Sequence, residues 1–557
     1  MLNIKEIIRN EIKRILNTNK TIVVEIPPRE NMGDYSVPCF ELRNDELKNP
    51  NEVANYIKDN FNKDIEIIKS VDVIGPYANF NINYELLSNE VINNIESEKE
   101  KYGSLNQGKG EALLIEHTSI NPNAEPHMGR CRNSFIGDFM SNLYSFTGYD
   151  VTRHYFVNDL GKKIALLVLG VEKYGLNSNN FNDILDVYVK ISKEAKEDET
   201  IEKKAFDYLE IVESGNKEMI EKFKSITDMC VEGQMKIFSL LNISFDVFTH
   251  ESDYVYDNSL EEIINKLREK DRFKIDELGR GYVDLTGYDI PTKEPVLVLT
   301  RSNGTYLYPM KDIAYSIYKI KLNDKNNFIV LGEDQEVYMK QISAVLDILG
   351  YKSPKLISYG YVLLNGDKMS TSGGVSVLVT DFIKTINEAL LTQFNERNIV
   401  VDEKTLSILM NASIKYAMLN VSKHKVVDFN IDNATSFKGE SGVYILYSIV
   451  RINSILKKNN INSKTIKLDN ELENKIIKDL YSFPEIINSL LTSNEPQELT
   501  KYIFNLTQKF STYYESVNIS NEENEDIKSS RLRLLLCIKQ VLTNGLKVLG
   551  IDTIEKM

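Results

Sequence analysis

The chain has no tryptophan, and only four cysteines and five histidines are spread over its 557 residues. Cys39, Cys131, Cys230 and Cys537 lie far apart with no C-x-x-C pair, so neither a disulfide framework nor a thiolate zinc site is expected. No stretch has the length and lack of charge of a transmembrane helix. The opening MLNIKEIIRNEIKRIL reads as a charged amphipathic helix without a signal-peptide apolar core, and a cytoplasmic enzyme is expected. Positive charge is in deficit: 67 Lys and Arg against 81 Asp and Glu leave a net charge of −14. That argues against general coating of nucleic acid, while a local basic surface can still contact phosphates.

At this length about two to four domains are expected. Residues 1–105 read as an α+β module: a helix over 4–17, a strand at TIVVEIPP (21–28), a glycine turn at NMGDYSV, a helix near 50–61 and short strands in IEIIKSVDVIGPYANFNIN. The polar, glycine-containing YGSLNQGKGE (102–111) marks a boundary. Over 106–385 strands alternate with helices, the pattern of an α/β doubly wound parallel sheet, with strands near 112–115, 151–157, 327–331 and 357–364. A charge-laced helical insertion fills about 165–243, and 386–557 reads as an all-α bundle without a repeat period.

The segment IEHTSINPNAEPHMGRCRNSFIGD (115–138) is the most specific feature. Pro122 and Pro126 keep their predecessors extended, so a helix begins only at about His127. Phe135, Phe139, Leu143 and Phe146 then share one helix side, and Gly148 is the stop. His127 and Gly129 thus sit at a helix N-terminus just past a strand, where unpaired amides favour phosphate. A lone His-x-Gly triplet is more often a turn histidine beside a packing glycine. The whole segment, however, resembles the ATP-binding signature of class I aminoacyl-tRNA synthetases, and resembles arginyl-tRNA synthetases closely. Glu116, Thr118, Ser119, Asn121, Pro122, Asn123, His127, Gly129, Arg132, Asn133, Gly137 and Asp138 match that pattern. Arg130 departs from it, standing where a second histidine is usual.

Adenylate formation needs no protein nucleophile, only positioning and charge stabilisation at the α-phosphate. A second positive element is supplied by GDKMSTSGG (366–374), which is similar to the family's lysine loop and lies about 240 residues downstream in the expected order. Lys368 can neutralise developing charge, Ser370 and Ser372 can donate hydrogen bonds, and Gly373 and Gly374 permit closure. Ser372 replaces an arginine frequent in the family. The resemblance implies catalysis by His127, Gly129, Lys368 and Ser370, with ATP held by these together with Pro126, Met369 and Ser372. With Arg130 in place of histidine and Ser372 in place of arginine, positive charge is shifted from loop to helix, and Arg130 is expected to join the catalytic set by contacting the phosphates directly. It implies ATP with Mg2+ and no resident metal.

Selection of arginine requires fixed carboxylates, because a planar guanidinium pairs with them bidentately. By resemblance Glu251 (FDVFTHESDYV), Tyr308 and Asp312 (TYLYPMKDIAY) would hold it, and Ser119, Asn121 or Asn123, His127 and Gln335 the amino acid's other end. Tyr155, Asn158 and Asp159 (YFVNDLG) match a pocket-wall motif. No editing domain is expected, since a site built on a polar head rejects analogues lacking it. The first module resembles the family's tRNA-elbow domain. GVYILYSIVRINSIL resembles its anticodon domain, which implies tRNA contacts at Tyr444, Tyr447 and Arg451. On helices most such aromatics are core. Val443 and Leu446 replace the family's usual residues, so no contact is transferred to them. The reading is an arginine–tRNA ligase, a monomer acting on tRNA(Arg) and L-arginine. Two rivals stand beside it: an enzyme passing activated arginine to a small molecule, and a tRNA-binding protein with a decayed ATP site.

Overall fold

The computed structural model describes residues 2–178, 180–255, 257–364, 366–368 and 377–557. Five parallel strands form its central sheet, in the order Lys355–Tyr359, Asn327–Gly332, Ala112–Glu116, Asp150–Val157, Val247–His250. The strand that follows Ala112–Glu116 in the chain lies on one side of it, and Asn327–Gly332 lies on the other. The direction of winding therefore reverses beside Ala112–Glu116, which opens a crevice at the carboxyl ends of these strands. The expected 357–364 strand is two pieces, Lys355–Tyr359 in this sheet and Val362–Leu364 in another. Gly360 separates them, packed so closely on the Lys425 carbonyl that a Cβ would meet it at 2.9 Å.

The helix Met128–Phe146 starts where the proline argument places it, with His127 extended at the N-cap (φ −114°). Phe135, Phe139 and Leu143 are buried, and Gly148 follows the helix at φ +90°. The insertion is four helices, Lys162–Tyr174, Phe181–Glu197, Glu199–Glu213 and Lys217–Leu240, whose charged runs point outward from Ile184, Ile191, Ala205 and Leu209.

Two compact units account for the packing. One comprises 1–103, 448–485 and 505–544, the other 104–447, 486–504 and 545–557. In the first, Ile4, Ile8, Ile12 and Leu16 repeat every four residues and are buried along the helix Ile4–Leu16, which Asn3 caps. An antiparallel sheet follows, ordered Tyr35–Pro38, Tyr77–Ile82, Ile68–Ile74. The expected strand over 21–28 is not one. Ile22 and Val24 point inward and Val23 and Ile26 outward, but only Glu25 pairs, with Ser36, and Pro27 and Pro28 have no amide to extend the ladder. Tyr481 closes this unit, donating to the Leu2 carbonyl (2.9 Å) and accepting from the Ile4 amide (3.0 Å). All four cysteines are buried and none is in a disulfide.

In the second unit Lys415 is fully buried. Its Nζ donates to Asp138 Oδ2 (2.7 Å), the Gly550 carbonyl (2.9 Å) and the Asn242 carbonyl (3.3 Å). The ammonium thereby fastens the Met128–Phe146 helix to two distant turns. Lys415→Met leaves the Asp138 carboxylate buried without a counter-ion and is expected to cost about 3–5 kcal/mol. Urea unfolding would show this as a lowered midpoint, largely recovered by adding Asp138→Asn.

Candidate active site

The two motifs that lie far apart in sequence meet through the backbone. The Met128 amide donates to the Val377 carbonyl (3.0 Å) and the Val379 amide to the Pro126 carbonyl (3.0 Å), a bridge pairing His127 with Leu378. The chain leaving the lysine loop is thus stitched to the helix N-terminus. On the entry side Lys368 pairs in backbone register with Leu363, and Val362–Leu364 runs parallel to Val427–Phe429. Met369, Ser370 and Ser372 lie outside the described residues. Among the matched ATP residues Pro126 is buried, His127 and Gly129 are half-buried and Arg130 is exposed. Burial, and then the Arg130 charge, hold the His127 imidazole below its usual pKa, so neutral imidazole is favoured.

Arg132, five residues past the N-cap, has no exposure at all. Its guanidinium donates to four carbonyls, Gly360 (2.8 Å), Lys425 (2.5 Å), Val421 (3.0 Å) and Ser422 (2.9 Å). Burial lowers its pKa to about 10, so it stays charged at neutral pH. These bonds fix the segment beneath the lysine-loop strands to the signature helix.

The loop after Ala112–Glu116 is strained: Thr118 (φ +73°) and Ser119 (φ +44°) are both left-handed, a conformation costly for a β-branched residue. Side chains hold it there. The Thr118 amide donates to Asn133 Oδ1 (2.7 Å), its hydroxyl to Ser134 Oγ (2.8 Å), and the Phe156 amide to Ser119 Oγ (3.0 Å). Asn133 also donates to the Val330 carbonyl (2.8 Å), spanning the crevice between the two central strands. Further on, Gln234 from the insertion donates to the Asn121 (3.0 Å) and Ala124 (2.8 Å) carbonyls.

Beside this loop lies a cavity of about 440 Å³. Its wall includes Ser119, Asn121, Asn158, Glu251, Tyr308, Asp312 and Gln335, seven residues that the sequence puts near arginine. Asn123 is buried off the wall with its Oδ1 unpartnered, so of the two asparagines Asn121 faces the space. Tyr155 and Asp159 stand behind the wall. Tyr155 is fully buried on Gln234 (2.9 Å), and Asp159 accepts the Ser252 amide (2.9 Å) and hydroxyl (2.5 Å), locking the turn that begins at Glu251. His127 does not line the cavity.

Acids crowd one end. Glu251 accepts an ion pair from Lys311 Nζ (2.8 Å), and burial raises its pKa against that ammonium. Asp312 accepts the Tyr338 hydroxyl, whose ring packs on Tyr308 with centroids 5.5 Å apart. Burial pushes Asp312 up to about 7. Glu116 is neutralised by buried Lys319. The sequence reading misses Lys311, Tyr338 and Glu213 of this wall. Lys311 adjoins Asp312 and Tyr338 follows Gln335 by three positions, so both were within reach; nothing local marks Glu213. Among the described residues no three His, Cys, Asp or Glu side chains form a metal-binding group.

A parallel sheet with a helix N-terminus at its switch point and a bridged lysine loop is the arrangement of a class I aminoacyl-tRNA synthetase. Family profiles agree: "tRNA synthetases class I (R), catalytic domain" matches residues 91–433, "DALR anticodon binding domain" 445–557, and "Arginyl tRNA synthetase N terminal domain" 2–82. The chain is 32% identical to the arginine–tRNA ligase of Methanococcus aeolicus over 100% of both chains. It is 31% identical to that of Archaeoglobus fulgidus over 94% of each. In fold it is similar to the arginyl-tRNA synthetase of Thermus thermophilus (TM-score 0.81, 23% identity, 100% of both chains). The Plasmodium falciparum synthetase is similar too (TM-score 0.79, 21% identity, 100% of this chain and 98% of that one). The chain belongs to the arginyl-tRNA synthetase family, the arginine–tRNA ligases of class I.

Gly137 presses on the strained loop from the signature helix: a Cβ there would lie 2.2 Å from the His117 ring, whose Nδ1 is 2.9 Å from Thr118 Oγ1. Gly137→Ala is expected to displace the loop and lower kcat/KM for arginine on the order of a hundredfold. Helical circular dichroism should be kept; unchanged kcat/KM would show the loop to be independent of His117.

Proposed function

We propose that ligation of arginine to tRNA proceeds here as follows. The ATP phosphates lie over the amides that open the signature helix, between His127, Gly129 and Arg130 on one side and Lys368, Met369, Ser370 and Ser372 on the other, with Pro126 beneath. Glu251 and Asp312 take the guanidinium of L-arginine under the Tyr308 ring, and Ser119, Asn121 and Gln335 orient its α-amino and carboxylate end. A carboxylate oxygen attacks the α-phosphorus, pyrophosphate leaves, and arginyl-adenylate forms. A terminal ribose hydroxyl of tRNA(Arg) then attacks the acyl carbon and AMP leaves. Positive charge and preorganised amides perform the catalysis. ATP use goes with the family. Mg2+ enters with ATP as part of the substrate.

One observation carries the reading: the His127–Leu378 bridge ties the chain that leaves the lysine-loop segment to the signature helix, and the loop before that helix contributes Ser119 and Asn121 to a carboxylate-lined cavity. Around this centre we assign residues 1–105 to tRNA contact, 106–385 to catalysis and 386–557 to the anticodon, with Tyr444, Tyr447 and Arg451 contacting tRNA. We further assign a cytoplasmic monomer; no helix among the described residues is long and apolar enough to cross a membrane. The profile and relative matches run through all three segments and favour this reading over a small-molecule acceptor or a decayed ATP site.

Charging of total tRNA with labelled amino acids should yield arginyl-tRNA alone, with pyrophosphate exchange dependent on tRNA. Exchange without arginyl-tRNA would favour the small-molecule acceptor, and neither activity the binding protein. Arg130→Ala is expected to slow exchange about 10- to 100-fold; unchanged exchange would remove Arg130 from the phosphate site.

The raised Asp312 carboxyl gives a pH dependence. Burial is the main cause, Glu251 and Glu116 add to it, and the Tyr338 hydroxyl and Lys319 oppose it. A guanidinium needs the ionised form, so KM for arginine should fall as pH rises through about 7. Asp312→Asn should raise KM and flatten that slope. Without arginine the sign for stability is opposite: the protonated group's contribution is present at low pH and is lost as pH rises through about 7.

A further inference from the structure

Glu251 has a counter-ion within the chain itself. Lys311 holds its Oε1 at 2.8 Å, and both side chains are less than a tenth exposed. A guanidinium binds a carboxylate best through both oxygens, so the amino acid and Lys311 compete for one group. The same cavity wall carries a second acid, Glu213, contributed by the insertion. Glu213 is the last residue of the helix Glu199–Glu213, where the carbonyl end of the dipole disfavours negative charge. Glu210 adds repulsion one turn before, and burial raises its pKa while Lys311 and Arg301 oppose that shift. No described residue forms an ion pair with it. A carboxylate so placed lacks a cation, and Lys311 is the buried cation that shares its cavity.

We propose that Lys311 is an exchangeable counter-ion which leaves Glu251 for Glu213 when arginine's guanidinium occupies Glu251. The exchange leaves no buried charge without a partner, and it draws the end of the insertion helix onto the filled cavity. A lysine ammonium, strongly hydrated and on a flexible stem, suits this role where a planar fork would not. Lys311 and Glu213 act as positioning residues; neither touches the reacting atoms. The inference rests on the reading that Glu251 takes the guanidinium.

The test is L-arginine binding to the full chain by calorimetry, for wild type, Glu213→Gln, Lys311→Met and the double variant. Glu213→Gln is expected to weaken binding about tenfold in the presence of Lys311 and to have no effect in the Lys311→Met background, a coupling in the range usual between linked sites. Arginine should also slow amide exchange over residues 199–213 in wild type but not in Glu213→Gln. Equal weakening in both backgrounds would mean that Glu213 attracts arginine directly and would overturn the exchange, as would no weakening in either. Coupling of Glu213 to Arg301 in a matching cycle, in place of Lys311, would overturn it too. Should Lys311→Met not fold with Glu251 unpaired, amide exchange in Glu213→Gln decides alone. If wild type binds no L-arginine, with or without tRNA, the pocket reading falls and the exchange with it; binding with uncoupled variants removes only the exchange.

Discussion

A guanidinium buried against four carbonyl oxygens sets the frame of this molecule's catalytic unit. Among the described residues Arg132 has no ion-pair partner at contact distance, and its guanidinium rests on backbone carbonyls of the segments at 360 and 421–425, with Glu495 and Glu333 adding attraction from further off. Charge-assisted bonds of this kind are strong, and a buried charge that loses them is costly. The signature helix therefore cannot shift without disturbing the strands that launch the lysine loop. The His127–Leu378 bridge repeats the constraint at the other end of that loop. Between them, the two attachments turn separate pieces of sequence into one continuous edge.

The cavity beside it follows a different rule. Three of its acids have separate partners: Glu116 has Lys319, Glu251 has Lys311 and Asp312 a phenol, while Glu213 has no ion pair among the described residues. Burial raises Asp312 and Glu251, and Lys319 and Lys311 respectively oppose it. Such a pocket discriminates by what it must leave unpaired. An amino acid without a distal cation would disrupt the arrangement and supply nothing in return.

The sequence made the catalytic fold legible because its signals are local and strong. Pro122 and Pro126 dictated where the helix could begin, and the Phe135, Phe139, Leu143 stripe showed which side would be buried. Seven pocket residues could be read from short motifs on rigid elements. What stayed hidden depends on contacts between distant segments. TIVVEIPP has the alternation of a strand, yet no neighbour pairs along it beyond one bridge. Glu213 gives no local sign, because its meaning comes from where the insertion packs. Arg132 was visible as a motif residue, while its four acceptors lie more than two hundred positions away. The grouping of residues 448–485 and 505–544 with the first 103 is likewise a product of packing that helical periodicity does not encode.

The paired left-handed residues Thr118 and Ser119 have a bearing on how such a gene decays. Glycine or asparagine would relax the backbone at position 118 and stabilise the protein, at the loss of the hydroxyl that reaches Ser134. While arginylation is under selection, the loop geometry that this hydroxyl helps to hold opposes the substitution; once selection is lifted, the relief of backbone strain is set only against the lost contacts to Ser134 and His117. A duplicated copy that kept the sheet and helices but dropped its chemistry would drift here early.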